Sequence, residues 1–173
     1  MADFNPAFER MIHDEGGYQL TDIEGDRGGQ TYAGIARKMN SDWVGWSLVD
    51  RRDFGASLTS MVRDFYRARF WTSIRGDEIN EQAIAESIFN FAVNTGVGPA
   101  VKIAQVIAGA TPDGAIGAKT IELLNQCTGK GFVASYALAK IRRYSDICNR
   151  DRGQSKFLLG WINRSLSGLK QWT

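Results

Sequence analysis

The sequence has few of the residues that cross-link small proteins or bind metals in them. Its 173 residues include two cysteines, Cys127 and Cys148, one histidine, His13, and three prolines. These thiols and the imidazole have no close ligand spacing, so they do not form the pattern of a structural zinc site. We interpret the cysteines as unpaired thiols of a reducing compartment. A chain of this length can bury a hydrophobic core without cross-links, and we predict a single domain, residues 1–173.

Long hydrophobic runs and a strong excess of either charge are also missing. The most apolar stretch, Phe132–Ile141, is broken by Ser135 and Lys140 and is far shorter than a membrane span of about 20 residues. The charged N-terminus lacks the apolar run of a signal peptide. The net charge of +2 does not indicate a nucleic-acid partner, although the region from Arg142 onward is basic. That region favours an anionic polymer or surface, or is a solvated helix face. We expect a monomer made in the cytoplasm without stable membrane insertion.

Helical periodicity dominates the chain, because prolines are rare and alternating apolar runs are few. The spacing of apolar residues predicts helices over Phe4–Glu15, Asp50–Trp71, Ile84–Val93, Ala100–Ala108, Ala118–Gln126, Phe132–Asn149 and Phe157–Trp172. Thr111–Gly114 is a turn signature, with a proline that presets φ and a glycine that tolerates positive φ. The glycine-rich segment near residues 16–35 cannot be regular helix, and its strand signal is too short to assign. The fold class is therefore mainly all-α.

Glu15 lies where a carboxylate is hard to keep ionised. The stripe of the first helix consists of Phe4, Phe8, Met11 and Ile12, and the same spacing continues onto Glu15 before Gly16-Gly17 ends the helix. Burial on the apolar face and the negative end of the helix dipole both disfavour the anion, so we predict a raised pKa for Glu15. An acid that is partly protonated near neutral pH suits a general acid in glycoside hydrolysis.

Asp26 and Thr31 follow in the glycine-rich segment and could complete such a site. An acid, a second carboxylate and a positioned hydroxyl can protonate a glycosidic oxygen and activate water. Asp26 is either the second catalytic carboxylate or an Asx-turn residue that holds the loop. Thr31 either orients a water molecule or caps the next segment.

Three further residues are candidates for substrate binding. Tyr18 and Tyr32 could line a sugar cleft, since the flat C–H faces of saccharides pack on aromatic rings. An aromatic residue more often packs in the core. Tyr18 is the favoured candidate for a sugar contact, because it directly follows Glu15-Gly16-Gly17. Asn94, beside a Gly-x-Gly turn, is either a substrate contact or a helix C-cap.

These residues belong to motifs that cover nearly the whole chain. The motifs are Glu15-Gly16-Gly17-Tyr18, Asp26-x-Gly28-Gly29-x-Thr31, Tyr32-x-Gly34-Ile35, Phe89–Gly96, Asp113-Gly114-x-x-Gly117-x-x-Thr120 and Gly160-Trp161-x-Asn163-Arg164. The sequence resembles the glycoside hydrolase family 108 N-acetylmuramidases, found among phage endolysins and also labelled secretion-activating proteins. It departs from the family pattern by the insertion of Ala33 between Tyr32 and Gly34, and by the lack of a proline before Asp26.

The resemblance implies a lysozyme-like helical fold that hydrolyses peptidoglycan without a metal or organic cofactor. It implies a catalytic part, residues 1–95, and a helical part resembling a peptidoglycan-binding region, residues 96–173, packed as one unit. Glu15 would be the catalytic acid, and Asp26 with Thr31 would stabilise the oxocarbenium charge or activate water. By analogy, a phage endolysin would wait in the host cytoplasm and reach periplasmic peptidoglycan after holin-dependent release. Two alternatives are a lytic transglycosylase acting through Glu15 alone and a non-enzymatic wall-binding or secretion-accessory protein.

Overall fold

The computed structural model describes residues 1–22 and 29–169 of the chain, and these residues form a mainly helical fold. Eight α-helices and three short strands lie within them. The elements are α1 (Phe4–Asp14), β1 (Leu20–Thr21), β2 (Thr31–Tyr32), β3 (Ile35–Ala36), α2 (Trp46–Asp50), α3 (Ala56–Tyr66), α4 (Gln82–Thr95), α5 (Val97–Ala108), α6 (Ala118–Leu124), α7 (Gly129–Arg150) and α8 (Leu158–Ser167). The predicted mainly helical fold class is confirmed, and the glycine-rich segment contains short strands where the sequence signal was too short to assign them.

The chain forms two compact units. The N-terminal unit is Phe4–Thr72, and the C-terminal unit is Ser73–Thr173 together with Met1–Asp3. The predicted packing of residues 1–95 and 96–173 as one domain stays a prediction.

The core of the N-terminal unit is built mainly by α1 and α3. Helix α1 buries the apolar stripe expected from the sequence: Phe4, Ala7, Phe8, Met11 and Ile12. Helix α3 buries Leu58, Val62 and Tyr66 at a spacing of four residues. The Tyr66 ring lies 6.0 Å from the Phe8 ring, measured between centroids.

The predicted helix Asp50–Trp71 was wrong at its start, and its last turn is π-helical and not α-helical. Asp50 is the last residue of α2, and Arg52, with φ 55°, separates it from α3. After Tyr66 the chain forms a π-helical turn, Arg67–Trp71. Because this turn contains one extra residue, Trp71 rather than Phe70 lies on the buried face.

The three strands form a small antiparallel sheet in the order β1-β2-β3. Tyr32 pairs with Leu20 on one side and with Ile35 on the other. Ala33 and Gly34 connect β2 to β3 and have φ values of 49° and 79°. Two consecutive residues with positive φ are the geometry of a type I′ hairpin turn.

The C-terminal unit is organised around α4, which packs on α5 and α7. Helix α4 is buried on most of its faces, as predicted, and Gly96 (φ 85°) separates it from α5. From α7, the Tyr136 hydroxyl donates a hydrogen bond to the Ala100 carbonyl oxygen at 2.9 Å. Helix α8 packs through Trp161, whose ring stacks on Tyr144 with 4.7 Å between centroids.

The remaining helices differ from their predicted bounds at the ends. Helix α7 begins at Gly129, three residues before the predicted start, because glycines are tolerated in the first turn. A 3₁₀ segment, Arg152–Phe157, was not predicted and shortens α8 at its start. Cys127 and Cys148 are both free thiols. Among the helices of residues 1–22 and 29–169, none combines the length and the apolar character needed to cross a membrane.

Candidate active site

Glu15 is the first residue after α1 and lies at the reversal of the chain. Its backbone N–H donates to the Met11 carbonyl at 3.0 Å, so it still follows the hydrogen-bond pattern of the helix. The N–H of Gly17 then reaches back to the Ile12 carbonyl at 2.8 Å. Gly16 and Gly17 adopt φ values of 90° and 80°, a conformation that favours glycine. The glycine pair thereby turns the chain away and leaves Glu15 half-buried.

The hairpin turn between β2 and β3 lies directly against Glu15. A Cβ atom built on Gly34 would be 3.7 Å from both Cβ and Cγ of Glu15. The same Cβ would lie only 2.6 Å from the hydroxyl oxygen of Tyr66. Gly34 is therefore required here for two reasons, its positive φ and the close approach of two side chains.

Tyr66 anchors this hairpin to α3. Its hydroxyl donates a hydrogen bond to the Ala33 carbonyl oxygen at 2.9 Å, and the side chain is buried. Burial raises the pKa of Tyr66, and the negative charge of Glu15 raises it further. The phenol therefore stays protonated and keeps its hydrogen bond while Glu15 is ionised.

Thr31 lies on β2, and the structure defines its hydrogen bonds. Its hydroxyl donates to the Gly29 carbonyl at 3.3 Å, and its own carbonyl accepts from the Thr21 hydroxyl at 3.5 Å. Thr31 is half-buried and pairs with Ala36 across the sheet. Asp26 lies outside the described residues. The catalytic roles proposed for Thr31 and Asp26 stay predictions.

The two tyrosines have different environments. Tyr18 follows the glycine pair and is 37% exposed, so its ring is available at the surface. Partial burial raises the pKa of Tyr18, Glu9 adds to this effect, and Arg63 opposes it. Tyr32 is only 2% exposed and stacks on Phe54 with 5.6 Å between ring centroids. The ring of Tyr32 thus packs in the core, and a sugar contact by either tyrosine stays a prediction.

Asn94 belongs to the C-terminal unit and lies in the last turn of α4. Its side-chain amide donates to the Asn90 carbonyl at 2.7 Å, and its side-chain oxygen accepts a hydrogen bond from Arg164. The interpretation as a left-handed C-cap was wrong, because Gly96 has the positive φ that ends the helix. Contact between Asn94 and substrate stays a prediction.

Sequence reasoning missed Tyr66, the residue that joins α3 to the hairpin beside Glu15. No role was predicted for Tyr66 from the sequence, and the carbonyl that its hydroxyl binds belongs to a residue 33 positions away. The glycine-rich motif that contains Gly34 was the available signal, since a conformationally restricted glycine needs a neighbour to explain it.

Fold and site together define a lysozyme-like helical protein with a candidate catalytic glutamic acid at the end of its first helix. The sequence model of the family described as Glycosyl hydrolase 108 matches residues 8–96, which are 89 of the 173 residues. The chain therefore belongs to the glycosyl hydrolase 108 family. A second model, described as Predicted Peptidoglycan domain, matches residues 99–166. The family resemblance read from the motifs is thus confirmed.

A solved structure supports the fold. The chain is similar to SagA of Brucella abortus with 23% sequence identity and a TM-score of 0.65, over 96% of this chain and 95% of that chain. Comparison with curated proteins gives no match. The family assignments identify the chain as a glycoside hydrolase of peptidoglycan that carries a C-terminal peptidoglycan-binding region.

Proposed function

We propose that this protein is an N-acetylmuramidase that cleaves the β-1,4 bond between N-acetylmuramic acid and N-acetylglucosamine. The observation that carries the proposal is the position of Glu15 inside the matched family segment. It is a half-buried acid at the end of α1, against the hairpin that Tyr66 holds. Water is partly excluded there, which favours a protonated carboxyl group as proton donor.

In the proposed reaction the Glu15 carboxyl group donates its proton to the glycosidic oxygen as the C–O bond breaks. The leaving sugar departs as an alcohol, and positive charge develops on the other sugar as an oxocarbenium-like species. Asp26, together with Thr31, stabilises that charge or activates the water that attacks it. The water adds its hydroxyl group to the sugar and returns a proton to the protein.

The residues around Glu15 support its role as proton donor by fixing its position. Tyr66 and Gly34 fix the turn beside the carboxyl group, so that the acid and β2 keep one arrangement. Tyr18 follows the catalytic acid in sequence and offers an exposed ring on which a sugar could stack. A group held in place by packing loses less entropy when it reacts.

We further propose that the enzyme is a monomeric phage endolysin. It would be made in the host cytoplasm and act on periplasmic peptidoglycan after a holin opens the membrane. The support for this role is the resemblance of the motifs to a family found among phage endolysins.

The enzymatic proposal is tested with purified peptidoglycan, the wild-type protein and the variant Glu15→Gln. The control is Asp14→Asn, which removes the same charge from the neighbouring, more exposed carboxylate. We expect Glu15→Gln to lose activity by a factor of about 100 or more, since general acid catalysis typically contributes 10²–10⁴-fold. The control should keep near wild-type activity.

Mass spectrometry of the released fragments identifies the bond and the reaction. Reducing N-acetylmuramic acid ends are expected. Anhydromuramic ends would show a lytic transglycosylase, and reducing N-acetylglucosamine ends would show cleavage of the other glycosidic bond. Wall binding without any soluble product from the wild type would show an accessory protein. Full activity of Glu15→Gln would remove Glu15 from the mechanism.

A further inference from the structure

A pocket in the C-terminal unit, between α5 and α7, is lined by four basic residues. Its volume is about 430 Å³. Lys102 on α5 and Arg142, Arg143 and Arg150 on α7 contribute the positive charges, and Asp146 is the one carboxylate among the lining residues. We call this site the basic pocket. It carries three more positive than negative charges, which favours an anionic ligand.

None of the four cations of the basic pocket forms a salt bridge with an acidic side chain within residues 1–22 and 29–169. Lys102 interacts with Asp113 only through its charge, which helps to lower the pKa of that carboxyl group. The Nε atom of Arg143 is buried and has no hydrogen-bond partner in the described part of the chain. The guanidinium groups of the pocket therefore keep unused capacity to donate hydrogen bonds.

Aliphatic side chains also line the basic pocket. Helix α5 buries Ala100, Val101 and Ala104 in the core of the unit, and it contributes Ile103, Val106 and Ile107 to the lining of the pocket. Ile147 adds a fourth large aliphatic side chain from α7. Val106 is 65% exposed, so part of this lining is open to solvent. A pocket lined by both aliphatic and guanidinium groups suits a ligand that has both carboxylates and small apolar groups.

We propose that the basic pocket binds the acidic stem peptide of peptidoglycan. That peptide is short, carries several carboxylates and has small methyl side chains, so its chemistry matches both the basic and the aliphatic residues that line the pocket. Three of the four cations are arginines, whose planar fork pairs with a carboxylate through two hydrogen bonds. The concave volume favours a compact ligand over a flat lipid surface. The inference rests on the proposed function, since it assigns the peptide part of the wall to a site other than Glu15.

The test uses the full-length protein and a fluorescent, sugar-free tetrapeptide of the stem, alanine–γ-glutamate–diaminopimelate–alanine. The wild type should bind this peptide in a fluorescence-anisotropy titration. Arg143→Gln and Arg142→Gln should each raise the Kd by about tenfold or more, the effect of losing one charge-assisted hydrogen bond. Arg143→Lys should also weaken binding, since lysine keeps the positive charge but lacks the planar guanidinium group that makes two hydrogen bonds to one carboxylate.

Matched controls separate the basic pocket from general charge. Lys130→Gln removes one positive charge from an exposed position of α7 outside the pocket, and its Kd should equal that of the wild type. A stem peptide with amidated carboxyl groups should not bind. Thermal unfolding of each variant checks that it is folded, and Arg142, which is exposed, provides a variant that does not disturb the core.

Several outcomes would overturn the proposal. The first two are binding of the amidated peptide as tightly as the unmodified peptide, and a loss of affinity in Lys130→Gln as large as in the arginine variants. The other two are unchanged affinity in both Arg142→Gln and Arg143→Gln, and binding to phosphatidylglycerol vesicles but not to the peptide. Cleavage of wall glycan is measured separately on the same preparations. Glycan cleavage without peptide binding would reject the basic pocket as a stem-peptide site and leave the muramidase proposal intact. Peptide binding without glycan cleavage would support the basic pocket as a stem-peptide site and reject the muramidase proposal.

Discussion

The Tyr66 hydroxyl occupies the space where Gly34 would carry a side chain, 2.6 Å from the position of the absent Cβ. The two residues come from α3 and from the hairpin turn, and Cβ and Cγ of Glu15 lie 3.7 Å from the same absent Cβ. Substitutions at Gly34 and at Tyr66 therefore test how firmly the hairpin positions the proposed acid.

Gly34→Ala should destabilise the protein and reduce its activity. The methyl group would collide with the Tyr66 hydroxyl, and alanine would have to adopt a φ of 79°. Strain of this kind costs about 1–3 kcal/mol. Urea unfolding measures the stability, and release of soluble wall fragments measures the activity.

Gly160→Ala is the matched control for Gly34→Ala. Gly160 lies at an exposed position of α8, and a Cβ atom there would meet no side chain or other segment within 4 Å. Alanine is preferred over glycine in a helix by about 0.5–1 kcal/mol, so this variant should be as stable as the wild type or more stable. Equal stability of Gly34→Ala and Gly160→Ala would contradict the assigned contact.

Tyr66→Phe should cost about 1–3 kcal/mol of stability at neutral pH, because the Ala33 carbonyl loses its buried donor. The variant should also be less sensitive to alkali. The pKa of Tyr66 is raised in the folded protein, so its contribution is complete below the unfolded pKa of about 10 and is lost as pH rises towards the folded value. Denaturant melts between pH 7 and 11 measure both effects. A constant difference between variant and wild type across this range would contradict the assigned burial of the phenol.

Residue spacing predicted the parts of this site that are local. The apolar stripe of α1 leads to Glu15, and Gly16-Gly17 reverse the chain after it. The position of Glu15 could therefore be predicted from one short segment. The residue that holds the hairpin beside Glu15 could not be predicted from residue spacing. Tyr66 falls on an apolar stripe, and its role depends on the Ala33 carbonyl in a distant hairpin.

Backbone geometry limited the fold prediction in the same way. The π-helical turn after Tyr66 shifts the buried face by one residue, and a periodicity of 3.6 residues cannot anticipate such a shift. The basic pocket shows a related limit. The excess of positive charge from Arg142 onward was visible in the sequence, but Lys102 and three of the aliphatic lining residues come from α5, an earlier helix.

Lys140→Met should stabilise the protein at neutral pH. The Lys140 ammonium lies 5.6 Å from the centroid of the Tyr136 ring and 5.9 Å from that of Phe91, and desolvation lowers its pKa from 10.5 to about 8. At about 1.4 kcal/mol per pKa unit, with part of the penalty screened by solvent, the gain should be roughly 1–2 kcal/mol. The measurement is the free energy of unfolding in urea at pH 7.

The gain from Lys140→Met should shrink as the pH rises from 8 to 9.5. In this range the folded wild type releases the Lys140 proton while the unfolded chain keeps it, so the stability of the wild type rises relative to the variant. Lys130→Met, at an exposed position of the same helix, is the matched control and should change the stability at pH 7 by no more than about 0.5 kcal/mol. Destabilisation by Lys140→Met at pH 7 would mean that the cation–π contacts outweigh desolvation.

Gln105→Met should destabilise the C-terminal unit by about 2–4 kcal/mol. The two N–H groups of the buried Gln105 amide lie within hydrogen-bond distance of three acceptors, on Asp113, the Ala115 carbonyl and Thr120, and its oxygen accepts from the Gly114 N–H at 2.9 Å. Methionine fills a similar volume but removes the acceptor of the Gly114 N–H and the donor to the buried Thr120. Each buried unsatisfied group costs about 1–3 kcal/mol, whereas Asp113 keeps its bond from the Ala115 N–H.

Amide hydrogen exchange is the most direct test of the Gln105 hydrogen bonds, because it follows the Gly114 N–H itself. We expect this amide to be protected in the wild type and to exchange much faster in Gln105→Met, since its acceptor is gone. Gln126→Met, at an exposed position of the same unit, is the matched control and should change stability by no more than about 0.5 kcal/mol. Unchanged protection of Gly114 in Gln105→Met would show that the turn is held by its own backbone, with the proline and the glycine of Thr111–Gly114 sufficient to fix it.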